Sequence, residues 1–171
     1  MALVWSYAHV HAVAFALVAA SAMPALADED AGPFAQGRMR LSLGLGSTQS
    51  DGDTGIVAGG AFGYFVRDGL EVGLGVDRTF GLDPGLTRVT PDVRYVLHFV
   101  PVLKPYAGAF YRRWFIDGEE GADSVGARAG AFWVSSGGSF FGGGVVYERL
   151  ASDCKDDCAM LYPELALSLS L

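Results

Sequence analysis

From Met39 onward, apolar residues recur at every second position. Met39, Leu41, Leu43 and Leu45 alternate with Arg40, Ser42, Gly44 and Gly46. Leu70, Val72, Leu74 and Val76 alternate with Glu71, Gly73, Gly75 and Asp77. Val89, Pro91, Val93, Tyr95 and Leu97 stand against Arg88, Thr90, Asp92 and Arg94, and Leu165, Leu167, Leu169 and Leu171 against Glu164, Ala166, Ser168 and Ser170. A period of two is the signature of a strand, whose successive side chains point to opposite faces. Four further runs, Gly55 to Phe65, Leu103 to Phe115, Val125 to Val134 and Ser139 to Arg149, show the pattern blurred by glycine and aromatics. The count is eight strands and no helix. Pro91 removes a ladder donor, so it is expected near a strand end or at a bulge.

The connections set the topology. Residues 66–69, 98–102 and 135–138 read as short turns, and 48–54, 80–86, 115–124 and 150–160 as longer loops. Short and long connections in alternation describe an up-and-down meander with both ends on the short-turn side.

The chain before the first run has another purpose. Val10 to Ala22 is an apolar run with a small-residue tail, followed by Ala25-Leu26-Ala27 and the acidic Asp28-Glu29-Asp30. That order reads as a signal peptide cleaved after Ala27. The amino-terminal region lacks Lys and Arg, and an uncleaved anchor is the alternative. Three segments result: 1–27 as signal peptide, 28–36 as a short periplasmic lead-in, and 37–171 as the barrel domain. The net charge of −7 lies entirely after Ala27 and disfavours nucleic acid as a partner, since binding a nucleic-acid backbone needs a basic surface. No stretch after the signal approaches the ~20 apolar residues of a membrane helix.

Alternation does not say which face is wet. Opposite the aliphatics lie Arg40, Glu71, Asp77, Arg88, Asp92, Arg94, Arg128, Glu148 and Glu164, joined by Arg112: five arginines and five acids. On a soluble barrel this face is the exterior. Two features favour a lumen. The face is interleaved with glycine (Gly44, Gly46, Gly73, Gly75, Gly108, Gly130), which leaves room for long side chains. Lysine, the ordinary solvent-facing cation, occurs only at Lys104 and Lys155, whereas arginine suits buried bidentate pairing with carboxylates. Aromatics gather near both strand ends, as in the girdles of membrane barrels: Tyr64, Phe65, Tyr95, Phe99, Tyr106 and Trp133 at one, Phe80, Tyr111, Trp114, Phe115, Tyr147 and Tyr162 at the other.

The segment Gly63-Tyr64-Phe65-Val66-Arg67-Asp68-Gly69-Leu70-Glu71-Val72-Gly73-Leu74-Gly75 resembles a hairpin of the small outer-membrane β-barrel domains of the OmpX/OmpW-like kind. Lys104 to Ala109, Gly126 to Ala131, and Tyr162-Pro163-Glu164 with its following leucines resemble the fifth, sixth and closing strands of that family. The resemblance implies an all-β, eight-stranded antiparallel transmembrane barrel in a bacterial outer membrane, contacting lipid, lipopolysaccharide and the insertion machinery. Members usually end in an aromatic residue that this machinery reads; here the last residue is Leu171.

Little chemistry stands out. The only histidine after the signal is His98, in a turn with no serine at a suggestive spacing, which disfavours acyl transfer. Cys154 and Cys158 lack nearby histidines and read as a loop disulfide rather than a zinc site. The long loops are acidic (Asp51, Asp53, Asp83, Asp117, Glu119, Glu120, Asp123, Asp153, Asp156, Asp157 against Lys155), which is ordinary solvation or divalent-cation bridging to lipid phosphates. No cofactor, metal or catalytic residue is expected. The ten lumen charges would fill an eight-stranded interior, which has room for side chains alone. The expectation is a non-enzymatic, monomeric outer-membrane barrel with a charge-plugged lumen. A narrow OmpW-like transporter and a soluble periplasmic ligand-binding barrel are the alternatives, and a lipid-modifying enzyme dependent on His98 is a third.

Overall fold

The computed structural model describes residues 32–50, 53–81, 83–100, 102–135, 139–151 and 158–171, the side chains of 45–50 and 53–54 excepted. Ala27 and Cys154 lie outside the described residues, as do Asp51, Asp153, Lys155, Asp156 and Asp157 of the acidic loops.

Eight antiparallel strands follow one another in chain order: β1 Met39–Ser50, β2 Asp53–Arg67, β3 Leu70–Phe80, β4 Leu86–Val96, β5 Leu103–Ile116, β6 Ala122–Val134, β7 Ser139–Leu150 and β8 Ala159–Ser170. Each pairs with the next, and β8 pairs with β1, closing the barrel. Following partners from Arg40 through Gly63, Gly73, Asp92, Phe110, Gly126 and Glu148 reaches Met160 on β8, whereas the β8 residue that pairs directly with Arg40 is Ser170, a stagger of ten residues. Such a stagger is the shear by which tilted strands close a barrel.

The apolar face points out. Leu41, Leu43, Val72, Leu74, Val76, Val93, Val145 and Leu165 are all exposed, while Arg40, Glu71, Arg94 and Glu148 are at most 3% exposed. Leu167 and Leu169, on the same face of β8 as Leu165, are half-covered. Water would penalise this arrangement at the ~25 cal/mol per Å² of apolar surface that burial normally recovers.

Three expectations change. The first hairpin is longer than its apolar pattern: β1 runs to Ser50 and β2 starts at Asp53, so 48–54 is mostly ladder. Backbone hydrogen bonds continue where apolar side chains have stopped, and the alternation of loop lengths is weaker than the composition suggests. Asp53 and Asp123 accordingly belong to strands. Pro91 sits in mid-strand without a register shift. The β4–β5 partners stop at Val89↔Arg113 and resume at Asp92↔Phe110. Leu97 donates its N–H toward β5, so the odd positions of β4 face β5, and the donor missing at Pro91 interrupts that ladder alone.

The β1–β8 closure differs from the others. Its ladder covers Arg40↔Ser170, Leu41↔Leu169 and Ser42↔Ser168, with reciprocal backbone bonds between Met39 and Leu171 below them. Every other neighbouring pair stays in register over most of its length. Because Leu171 donates to β1, the odd residues of β8 face β1, and Pro163 lacks its N–H on that edge.

Candidate functional site

The inward face carries a stack of ion pairs in which each predicted arginine meets a predicted acid. Arg40 Nη2 lies 2.6 Å from Glu71 Oε1, and Arg88 Nε 2.5 Å from Asp77 Oδ2. Arg112 Nη1 reaches Glu148 Oε2 at 2.5 Å, Arg128 Nη1 reaches Glu164 Oε2 at 3.4 Å, and Arg94 Nη2 reaches Asp92 Oδ2 at 3.5 Å. Alternation puts all ten side chains on one face, and closure of the sheet brings that face together.

The pairs are tied to neighbours. Glu148 accepts from Ser124 Oγ (2.5 Å) on one oxygen and from Tyr162 (2.6 Å) and Arg112 on the other. Arg112 also donates to Thr90 Oγ1 at 3.0 Å, and Trp114 Nε1 donates to Ser124 Oγ at 3.0 Å. Tyr106 donates to Glu164 at 2.8 Å. Arg94 is the least satisfied: its Nε and Nη1 have no hydrogen-bond partner, but its guanidinium lies 5.0 Å from the Tyr106 ring and 5.5 Å from that of Phe132. An aromatic face offsets part of the cost of a desolvated cation. Charges buried so deeply persist only when paired.

Glycine supplies the space, chiefly for acids and rings. A Cβ at Gly63 would overlap Glu71 Oε1, and one at Gly142 would overlap Phe132 Cδ1. The expected beneficiary was arginine; the lumen instead seats Glu71 over Gly63 and Phe132 over Gly142.

Below the charges, at the end bearing both described termini, the lumen is closed by rings. Phe34, Phe65, Val96, Tyr106, Phe132 and Phe140 form the buried apolar cluster. Phe34 packs 5.8 Å from Phe65, 5.9 Å from Phe132 and 5.0 Å from Phe140, ring centre to ring centre. Backbone bonds hold its segment in place: Gly69 N–H donates to Phe34 O and Gly37 N–H to Phe65 O, both at 2.8 Å. Gln36 N–H donates to Asp68 Oδ1, and Ser170 Oγ donates to Pro33 O. The lead-in read from the sequence thus supplies, in its described part, a plug for the barrel mouth.

The sequence reading sets Phe65 and Tyr106 in the aromatic girdle at the periplasmic strand ends; both instead point inward, into this plug. Trp114 and Tyr162 are likewise turned inward. Tyr64, Tyr95, Phe99, Trp133, Phe80, Tyr111, Phe115 and Tyr147 are exposed on the outside. The missed signal is the aromatic doublet. Tyr64-Phe65, Phe132-Trp133 and Phe140-Phe141 each place one ring on either face, because neighbours in a strand point oppositely.

His98 lies just after β4, half-buried beside Gly69, and its carbonyl accepts from Lys104 Nζ at 2.6 Å. Among the described residues no His, Cys, Asp and Glu cluster could hold a metal.

No family model matches the chain, and no curated protein matches it. Solved structures do. The N-terminal β-barrel domain of Pseudomonas aeruginosa OprF superposes with a TM-score of 0.61 at 16% identity, over 80% of this chain and 98% of that one. Neisserial surface protein A gives 0.50 at 15% identity over 78% and 94%, and a de novo designed transmembrane β-barrel gives 0.50 at 15% over 80% and 97%. The fold is that of an eight-stranded outer-membrane β-barrel. At these identities the likeness concerns the fold.

Proposed function

We propose that this chain is a non-enzymatic barrel of a bacterial outer membrane, with a structural, envelope-integrity or surface-interaction role. The observation that carries the reading is the inversion of the barrel: an exposed aliphatic belt around a buried, ion-paired lumen. A soluble ligand-binding barrel requires the opposite, with the aliphatics inside. The end closed by Phe34 is then periplasmic and the end bearing Gly81 and Gly118 external. A cleaved signal peptide ending at Ala27, a Cys154–Cys158 loop disulfide, contacts with lipopolysaccharide and insertion by the envelope machinery belong to the same reading. The OmpX/OmpW-like likeness of the hairpin at 63–75 supports it.

Two seals in series, the charge stack and the Phe34 plug, argue against a standing pore. Planar-bilayer recording tests this. The expected trace is silent or shows brief, small openings; steady large currents would refute the plugged barrel.

A narrow transporter is the second reading. It is favoured by the short β1–β8 ladder and by Pro163, which withholds a donor on that edge. Uptake of small amphiphiles into vesicles carrying the protein, above that into empty vesicles, would select it.

A further inference from the structure

Three arginines break the apolar exterior. By strand alternation Arg78, Arg113 and Arg149 point outward with Val76, Tyr111 and Tyr147, away from the lumen, on β3, β5 and β7. Their heights can be read from the ladders. The row through Arg78 passes Thr87 and reaches Phe115, two residues above Arg113. The row through Arg113 passes Asp123, whose carbonyl accepts from Ala151, two residues above Arg149. Rows climb ten residues over eight strands, so two strands raise a row by about two and a half residues, which the two-residue descents nearly cancel. The three guanidinium-bearing positions therefore stand within about one residue of a common level on the tilted strands. At that level the other side of the barrel carries exposed Ile56 on β2 and Leu161 on β8.

The arginines are held but not consumed. Arg78 lies 5.8 Å from the ring of Phe80 and Arg113 5.9 Å from that of Phe115, the same Arg-x-Phe arrangement on two strands. Their ion pairs, Arg78 with Asp117 at 3.3 Å and Arg113 with Asp123 at 2.8 Å, are partly open to solvent and leave other N–H groups of each fork available. Among the described residues Arg149 makes no ion pair. A lipid-facing arginine is costly at mid-depth and nearly free near an interface. Three at one height, between Tyr111 and Tyr147 below and Phe80 and Phe115 above, match the headgroup level. A planar fork of N–H donors fits phosphate oxygens.

We propose that Arg78, Arg113 and Arg149 form an arc on the outer rim that holds the phosphates of an outer-leaflet glycolipid directly, without a bridging cation. This rests on the outer-membrane reading and names the partner at its external interface. The full chain is folded into phosphatidylcholine vesicles carrying either bisphosphorylated lipid A or the same glycolipid stripped of its phosphates. Protease resistance first establishes insertion; a chain that fails to insert overturns the barrel reading, and the arc with it. Inserted protein is then extracted in mild detergent with EDTA, and retained glycolipid is measured by native mass spectrometry. Wild type is expected to retain the phosphorylated glycolipid and to release the stripped one. The Arg78→Gln/Arg113→Gln/Arg149→Gln variant is expected to retain about tenfold less or lower, while Arg67→Gln, at the opposite end, behaves as wild type. Equal retention by wild type and the triple variant, or retention indifferent to the phosphates, overturns the arc. Loss of the glycolipid from wild type in EDTA assigns it to cation bridging by the acidic loops and also overturns the proposal.

Discussion

Arg40 grips a single oxygen of Glu71 with two nitrogens, Nε at 2.7 Å and Nη2 at 2.6 Å, while Glu71 Oε2 has no hydrogen-bond partner. Arg40 also donates through Nη1 to Ser42 Oγ at 2.5 Å, and Ser42 shares a hydrogen bond with Ser168 across the β1–β8 closure. The pair therefore links three strands at the level where the barrel is joined.

Removing one partner leaves the other charge buried and alone. Glu71→Ala is expected to cost about 3–5 kcal/mol, and the double replacement Arg40→Met/Glu71→Leu markedly less than the sum of the two single losses. Urea unfolding of the barrel in vesicles measures both.

Gly63 is expected to be intolerant of even a methyl group, because its Cβ would overlap the Glu71 carboxylate. The side chain can withdraw only by loosening its bond to Arg40. Gly63→Ala should destabilise by about 1–3 kcal/mol as overpacking does. Placing Gly63→Ala on the Arg40→Met/Glu71→Leu background, where no carboxylate remains, should reduce the penalty in the same unfolding assay.

The Phe34 plug is expected to detach independently of the barrel. Phe34→Ala removes a ring that is 2% exposed and touches three others, a loss of about 3 kcal/mol or more for a core phenylalanine. Hydrogen exchange should quicken at the amides of Gly37 and Gly69, which bond Phe65 O and Phe34 O. Amides of the upper β5–β6 ladder, around Tyr111 and Val125 and away from Tyr106 and Phe132 of the plug, should keep their protection.

Depth dependence separates a membrane barrel from a soluble one. Leu74→Arg, in the middle of the exposed belt, is expected to cost about 2–4 kcal/mol in vesicles, whereas Leu161→Arg, at the level of Arg149, should cost about 0–1 kcal/mol. Equal, small effects at both positions would speak for water outside.

The strands were legible because burial of one face forces a strict period of two wherever aliphatics meet small or charged residues, as at Leu41 and Arg40. The ten lumen charges were legible for the same reason. Their pairing was not, since partners such as Arg112 and Glu148 meet through closure of the sheet rather than along the chain. The aromatic plug was hidden because a ring suits either face, and doublets such as Phe132-Trp133 erase the alternation. Phe34 lies outside any strand, so no periodicity marked it. The reach of the first hairpin was hidden because its upper part is held by backbone bonds among polar residues. Pro91 misled because its missing donor costs one ladder contact on one side, which a mid-strand position tolerates.

The central claim is that the aliphatic face meets lipid and the charged face does not. It is tested most directly by nitroxide spin labels placed singly at Leu43, Leu74, Val145 and Thr90 in the barrel reconstituted into vesicles, with collision rates measured against oxygen, which concentrates in lipid, and a water-soluble nickel chelate. Labels at Leu43, Leu74 and Val145 are expected to favour oxygen strongly, and the label at the inward Thr90 to be shielded from both. Labels at Leu74 and Val145 that collide freely with the nickel chelate would contradict the account.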